Sequence, residues 1–183
     1  QIIARVDPCY LLKAKKNSIE IKNMIQSHIE DGVALTKFLF WIKNNQNLNL
    51  TELDAEKKLE QLRKEGQNYL YPSFNTIAGT GPNGAIIHYR VSDKTNRKIR
   101  KKDIFLCDSG GQYKYGTTDV TRTICFSKPS KKIKKIFTLV LKGHIAVVTS
   151  DLNKNKNGSK IDMRARKFLI ENGYDFKHGT GHG

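Results

Sequence analysis

With 183 residues, 38% of them apolar and 27% charged, the chain can bury the core of one ordinary globular domain, and nothing in its make-up demands two. No apolar run approaches 18 residues, which excludes a membrane-spanning helix, and the opening Gln-Ile-Ile-Ala-Arg-Val-Asp-Pro has neither an initiator Met nor a signal-peptide layout. A net charge of +16 raises an anionic partner, but the lysines are scattered, as in Asn153-Lys-Asn-Lys-Asn157, without interleaved aromatics, so a solvated basic surface is favoured over specific nucleic-acid binding. Cys9, Cys107 and Cys125 lack CxxC spacing and lie in or beside apolar runs, which points to reduced, buried thiols in a cytoplasmic protein. Both ends read as cut, the second inside a glycine-rich, histidine-bearing segment, Lys177-His-Gly-Thr-Gly-His-Gly183.

In chain order, Val6-Asp-Pro-Cys-Tyr-Leu-Leu reads as an extended connector, residues 1–12, because Pro8 removes a donor and biases Asp7 away from helix. Asn17-Ser-Ile-Glu20 is a capping box that opens a long amphipathic helix, with apolar positions Ile21, Met24, Ile25, Ile29, Leu35, Phe38, Leu39 and Ile42 and a loosening at Gly32. Thr51-Glu-Leu-Asp54 starts a shorter helix that ends near Gly66. From Tyr69 the period changes to that of strands: Ser73 to Ile77, a turn at Gly81-Pro-Asn-Gly84, then Ala85 to Arg90. Residues 92–102 are a polar loop. Pro129 suits the first turn of a third helix whose apolar face is Ile133, Ile136, Phe137, Val140, Leu141, Ile145 and Val148. Ser159-Lys-Ile-Asp162 caps a fourth, which stops at Asn172-Gly173 before a last strand. Phe40 and Trp41 read as packing residues.

Between the second and third helices, Asp108 and Asp119 end two short apolar runs, Ile104 to Gln112 and Thr117 to Phe126. If these are antiparallel strands joined around Tyr113 and Lys114, Asp108 sits opposite Asp119. Like charges directly opposed destabilise a sheet, so such a pair calls for a cation between the carboxylates. Two solvent-exposed loop aspartates are the other reading, and the residues alone leave both open. His182, flanked by glycines, is a third candidate ligand or else an end segment without a role. His88, after an apolar pair, is either a satisfied core histidine or a proton shuttle beside the metals. The glycines 79, 81 and 84 lack the Lys-Ser/Thr ending of a phosphate loop, and no nucleophile elbow is present.

Taken together, Thr80-Gly-Pro-Asn-Gly-Ala-Ile-Ile-His-Tyr, Cys107-Asp-Ser-Gly-Gly-Gln-Tyr with Gly116-Thr-Thr-Asp-Val-Thr-Arg-Thr, Val140-Leu-Lys-Gly-His-Ile-Ala-Val, and His178-Gly-Thr-Gly-His-Gly follow the order and spacing of aminopeptidase P. The chain resembles the cytosolic, eukaryotic-like Xaa-Pro aminopeptidases. The resemblance implies an α+β, pita-bread (creatinase/methionine aminopeptidase-like) fold, C-terminally incomplete, over residues 13–183. It implies hydrolysis of the bond between an N-terminal residue and a following proline at a dinuclear, typically manganese, centre. Asp108, Asp119 and His182 would ligate the metals, His88 would hold the substrate carbonyl or shuttle a proton, and Phe74 and His178 would line the pocket for proline. The implied partners are peptides with proline at the second position, with no membrane, and a homodimer of the complete protein is left open.

The family site also uses two glutamates and another histidine downstream of the final motif, beyond this span. Three ligands are half of the roughly six oxygen-rich contacts that a hard divalent ion takes. The expectation is therefore weak metal binding and no appreciable peptidase activity from these residues alone. Some pita-bread proteins are non-catalytic modules that bind histones, peptides or RNA, and the positive charge keeps that alternative open.

Overall fold

The structure, a computed structural model, describes Arg5, residues 7–154 and residues 157–182. These form two compact units, residues 1–127 and 128–183.

The first unit opens with a helix where a connector was expected. Asp7, extended at φ −55° and ψ 120°, accepts a hydrogen bond from the Cys9 N–H, and Pro8 takes the first position of α1 (Pro8–Ala14). Proline's fixed φ and missing donor suit that position, so the same residue that argued for an extended chain starts a helix. Residues 1–4 and 6 of the expected connector lie outside the described residues. Cys9 is exposed, contrary to expectation, while Cys107 is buried and Cys125 half-buried; all three are free thiols.

α2 (Ser18–Asn44) begins at the expected capping box, with Asn17 bonding the N–H groups of Ile19 and Glu20 and Glu20 bonding back to the Asn17 N–H. It runs unbroken through Gly32. Its second half buries Leu35, Phe38 and Ile42 as the periodicity requires. The first half does not: Ile21, Ile25 and Ile29 are about half exposed, and the buried positions are Ser27 and Asp31. Phe40 is likewise exposed, whereas Trp41 packs on the core.

α3 (Glu52–Lys64) starts at the expected second box, where Thr51 Oγ1 accepts from the Asp54 N–H while Asp54 accepts from the Thr51 hydroxyl at 2.7 Å and its N–H at 2.9 Å. Those bonds, the hydroxyl's first, hold the Asp54 carboxyl below its ordinary value. A lowered folded-state value means that the bonds stabilise the fold above about pH 4 and are lost as the pH falls through the folded value. Thr51→Ala is therefore expected to cost about 1 kcal/mol near pH 7 and less near pH 3, measured by urea denaturation at both. An equal cost at the two pH values would remove any role for the Asp54 charge.

Two small antiparallel sheets complete this unit. One has the order β1 (Tyr69–Pro72), β4 (Gly111–Tyr113), β5 (Gly116–Thr117); the other has the order β2 (Ile77–Thr80), β3 (Ile104–Ser109), β6 (Val120–Cys125). Ala78, Phe105 and Cys107 point one face of the second sheet into a core shared with Leu35, Phe38, Ile42, Leu50, Ala55, Leu59 and Ile99. The stretch expected as a strand from Ala85 to Arg90 is not one. A 3₁₀ turn (Gly81–Ala85) leads into irregular backbone with Ile86 and Ile87 about half exposed.

The second unit is a helix pair, α4 (Lys131–Val148) and α5 (Gly158–Ile170). Ser130 caps α4, which leaves Pro129 just outside it, and Asn157 rather than Ser159 caps α5. The expected apolar face of α4 is largely exposed at Phe137, Val140, Leu141, Ile145 and Val148, and the buried positions are Leu139 and Gly143. Gly143 explains this, because a Cβ there would lie 2.2 Å from the Ala165 carbonyl oxygen; only glycine lets the two backbones approach so closely. α5 ends where Gly173 turns to φ +75° and the Tyr174 N–H returns to the Leu169 carbonyl. Residues 174–182 form no strand, contrary to expectation.

Candidate metal centre

The hairpin that carries the two aspartates is present, but with another register. β3 pairs with β6 so that Asp108 faces Thr121, and β4 pairs with β5 so that Tyr113 faces Gly116. In this register Gly116 lies against α2, where a Cβ would sit 2.5 Å from Ser27 Oγ, so the contact takes a glycine. A slip of two residues keeps every side chain on its face. Asp108 and Asp119 are thus diagonal neighbours of an interrupted ladder, not a directly opposed pair; diagonal positions in a regular ladder lie about 7–8 Å apart. The opposed residue is compatible with the charge, for the Thr121 hydroxyl donates to Asp108 Oδ1 at 2.8 Å.

The ladder breaks at Gly110, where a Cβ would come within 1.9 Å of the Thr118 carbonyl oxygen and 2.3 Å of Ser73 Oγ. Around it, Ser73 Oγ donates to that carbonyl at 2.8 Å, the Gly111 N–H donates to Thr118 Oγ1 at 2.8 Å, and the Thr118 N–H donates to the Gly111 carbonyl at 2.9 Å. Thr118 is fully buried by these contacts and Asp119 next to it is exposed. A rigid turn thus presents Asp119, and a strand presents half-buried Asp108. Cys107 points the other way into the core, where burial pushes its thiol up to about 12, so it stays neutral and is no ligand.

Two buried polar groups that sequence reasoning missed anchor this scaffold from behind. Arg63 donates through Nε and Nη2 to Asp31 at 2.6 and 3.1 Å, and through Nη2 to Ser109 Oγ, next to Asp108, at 3.1 Å; Tyr113 OH donates to Asp31 at 2.8 Å. Glu52, fully buried at the start of α3, accepts from the N–H groups of Thr80 and Arg97, the Asn83 side chain and Tyr89 OH at 2.7–3.1 Å. The second set pins the turn at Gly81–Ala85 and Tyr89, on either side of His88.

His88 is exposed at φ +53°, a left-handed conformation in place of the expected strand, so it is not a core histidine. Phe74 is half-buried. In the second unit His178 and His182 are exposed; the His178 ring stacks on Phe176, with centroids 4.7 Å apart, and its Nδ1 lies 2.7 Å from the Gly179 carbonyl. Among the described residues no three His, Cys, Asp or Glu side chains are gathered as a metal shell. A pocket of about 370 Å³ in the first unit, between Glu30, Lys37, Arg63, Glu65, Asn68 and Tyr113, is lined by none of the candidate site residues Phe74, His88, Asp108, Asp119, His178 and His182. Asp108 and Asp119 offer two carboxylates from the first unit and His182 an imidazole from the second, donor types that suit a hard to borderline divalent ion.

The comparison with known families is specific. Residues 22–183 match the model of metallopeptidase family M24, and the chain belongs to that family. It is 47% identical over 174 residues to the probable Xaa-Pro aminopeptidase P of Podospora anserina and 48% identical over 174 residues to that of Aspergillus fumigatus. These matches cover 93% of this chain but 26% and 27% of those relatives. Among solved structures it resembles X-prolyl aminopeptidase from Caenorhabditis elegans, a cytosolic enzyme with a di-nuclear active site, with a TM-score of 0.86 and 38% identity over 94% of this chain and 28% of that one. Against the Xaa-Pro dipeptidase of Bacillus anthracis the TM-score is 0.82 at 28% identity, over 96% of this chain and 47% of that one. The fold is the α+β, pita-bread fold expected from the motifs, and the chain spans little more than a quarter of the Xaa-Pro aminopeptidases it matches. No helix among the described residues is long and apolar enough to cross a membrane.

Proposed function

We propose that the protein to which this chain belongs is a cytosolic, manganese-dependent aminopeptidase that removes an N-terminal residue preceding proline. The observation that carries the reading is the placement of Asp108 and Asp119 on one braced hairpin, on family motifs that share their order with Xaa-Pro aminopeptidases. Asp108, Asp119 and His182 are the metal ligands in this reading. When bound, manganese supplies Lewis acidity and water activated at neutral pH.

The chain's own residues then divide the remaining work. Thr121 holds one Asp108 oxygen and so fixes the direction in which the other is offered. His88, exposed on backbone that the Glu52 network pins, is free to turn its ring toward a substrate carbonyl and to hold or move a proton there. Phe74 supplies apolar surface for the proline ring, and His178, stacked on Phe176, a rigid wall.

Three donors fall short of a full shell, so the 183 residues alone are expected to bind Mn²⁺ weakly and to show no appreciable turnover. The test uses the full-length protein with Mn²⁺ and a peptide bearing proline at position two, measuring release of the first residue. Asp108→Asn and Asp119→Asn should each lower kcat/KM by about three orders of magnitude, the loss of several kcal/mol of metal-centred stabilisation. Unchanged turnover in either variant would sink the ligand assignment. Metal-independent protein that instead shifts RNA in a salt-dependent way would point to the non-catalytic binding module.

A further inference from the structure

The loop that bears both C-terminal histidines has no regular structure and no apolar anchor beyond Phe176, yet it is fastened at several points to a single turn of α5. Arg166 donates through Nε to both oxygens of Asp162, one turn earlier, at 2.9 Å. Its Nη1 donates to Asp175 at 2.9 Å and to the Phe176 carbonyl at 2.5 Å, and its Nη2 to the His178 carbonyl at 2.9 Å. The guanidinium carbon lies 3.9 Å from the centre of the Phe176 ring, whose other neighbour is the His178 imidazole. Asp162 in turn accepts the Thr180 hydroxyl, two residues before His182. The Arg166 side chain is only 17% exposed, although it sits on a surface helix.

A surface ion pair at helical spacing is ordinarily worth a few tenths of a kcal/mol and organises nothing. Here one planar fork divides its donors between a carboxylate of its own helix, Asp162, and, within residues 175–178 of an otherwise irregular loop, one carboxylate and two carbonyls. That is a geometry only arginine supplies, because lysine is a point charge on a flexible stem. We propose that Arg166, oriented by Asp162, is the positioning residue that holds the Asp175–His182 loop in shape and thereby places His178 and His182. The inference rests on the reading of His182 as a metal ligand. It assigns to Arg166 and Thr180 the supporting role that partners behind metal ligands play, where a substitution weakens metal binding by about 10- to 100-fold.

The test compares Arg166→Lys, Thr180→Val and His182→Ala in the full-length protein by two measurements. Amide hydrogen exchange over residues 175–182, in the absence of metal, reads the clamp directly. Mn²⁺ affinity by calorimetry, with kcat and KM at saturating Mn²⁺, reads its consequence. Arg166→Lys is expected to speed exchange of this loop, to weaken Mn²⁺ binding by about 10-fold or more, and to recover most of kcat once Mn²⁺ is saturating. Thr180→Val, which removes a single hydroxyl and leaves α5 intact, moves the same readouts in the same direction by less, and decides the matter if the arginine variant does not fold. Exchange within about twofold of the parent in both variants overturns the clamp, and so does weakened metal binding with unchanged exchange. If His182→Ala leaves Mn²⁺ affinity untouched, the ligand reading fails on its own, and the clamp stands or falls on exchange alone.

Discussion

Glu52→Leu is expected to be among the most damaging single substitutions in the first unit, with a loss of about 3–6 kcal/mol in chemical denaturation, since several buried donors lose their acceptor at about 1–3 kcal/mol each. Leucine fills the volume and removes the charge, so packing is nearly preserved and the cost isolates the hydrogen bonds. The N–H groups of Thr80 and Arg97 donate to Glu52 at 2.7 and 3.0 Å and the Tyr89 hydroxyl at 2.8 Å, and Tyr89 OH also lies 3.1 Å from the Thr95 carbonyl. Glu52→Gln keeps the shape and one acceptor oxygen but turns an NH₂ toward donors, and should fall between parent and leucine. Because the same carboxylate pins both flanks of His88, amide exchange between Thr80 and Arg97 should rise even in the glutamine variant. A leucine variant within about 1 kcal/mol of the parent would mean that water satisfies these donors and that Glu52 organises little.

What could be read from sequence was whatever local chemistry decides. The capping boxes at Asn17 and Thr51 and the glycine stop at Gly173 each depend on residues within about five positions, and all three stand as expected. What could not be read was decided by contacts distant in sequence. The phase of α2 failed in its first half because Asp31, which looks like a surface residue, is buried against Arg63, 32 residues away, and so turns Ile21, Ile25 and Ile29 outward. Apolar periodicity assumes that polar residues face water, and a buried ion pair inverts that assumption. The hairpin register brings Gly116 against Ser27, and the Glu52 network holds the backbone on both sides of the expected Ala85–Arg90 strand; neither contact leaves a local signal. For the site, the two aspartates were legible as a pair on one hairpin, and their diagonal spacing was not. Arg166 was invisible for a related reason, since an arginine at a polar helix position looks like solvation until the loop that it grips is placed.

Arg63→Met is the counterpart at the other end of α3, with an expected loss of about 3–5 kcal/mol, because it leaves Asp31 buried without its cation. Burial works against the Arg63 charge, and the hydrogen bonds and charge of Asp31 outweigh it, so the guanidinium holds its proton more firmly than usual. Both side chains are at most 3% exposed, so solvent cannot screen the charge that remains. Combining Asp31→Leu with Arg63→Met removes both charges and should regain most of that loss, as apolar replacement of buried pairs often does. The regain will be incomplete here, since Ser109 Oγ and Tyr113 OH each lose their partner in the pair. The site should register this separately from stability. Ser109 adjoins Asp108 on β3, and Tyr113 closes the hairpin that carries Asp119. The double variant, though stable, should therefore bind Mn²⁺ more weakly than the parent by about 10-fold in the full-length protein, the scale of lost support behind metal ligands. If it matches the parent in both stability and metal affinity, the buried pair is only a filled space, and the hairpin holds its aspartates unaided.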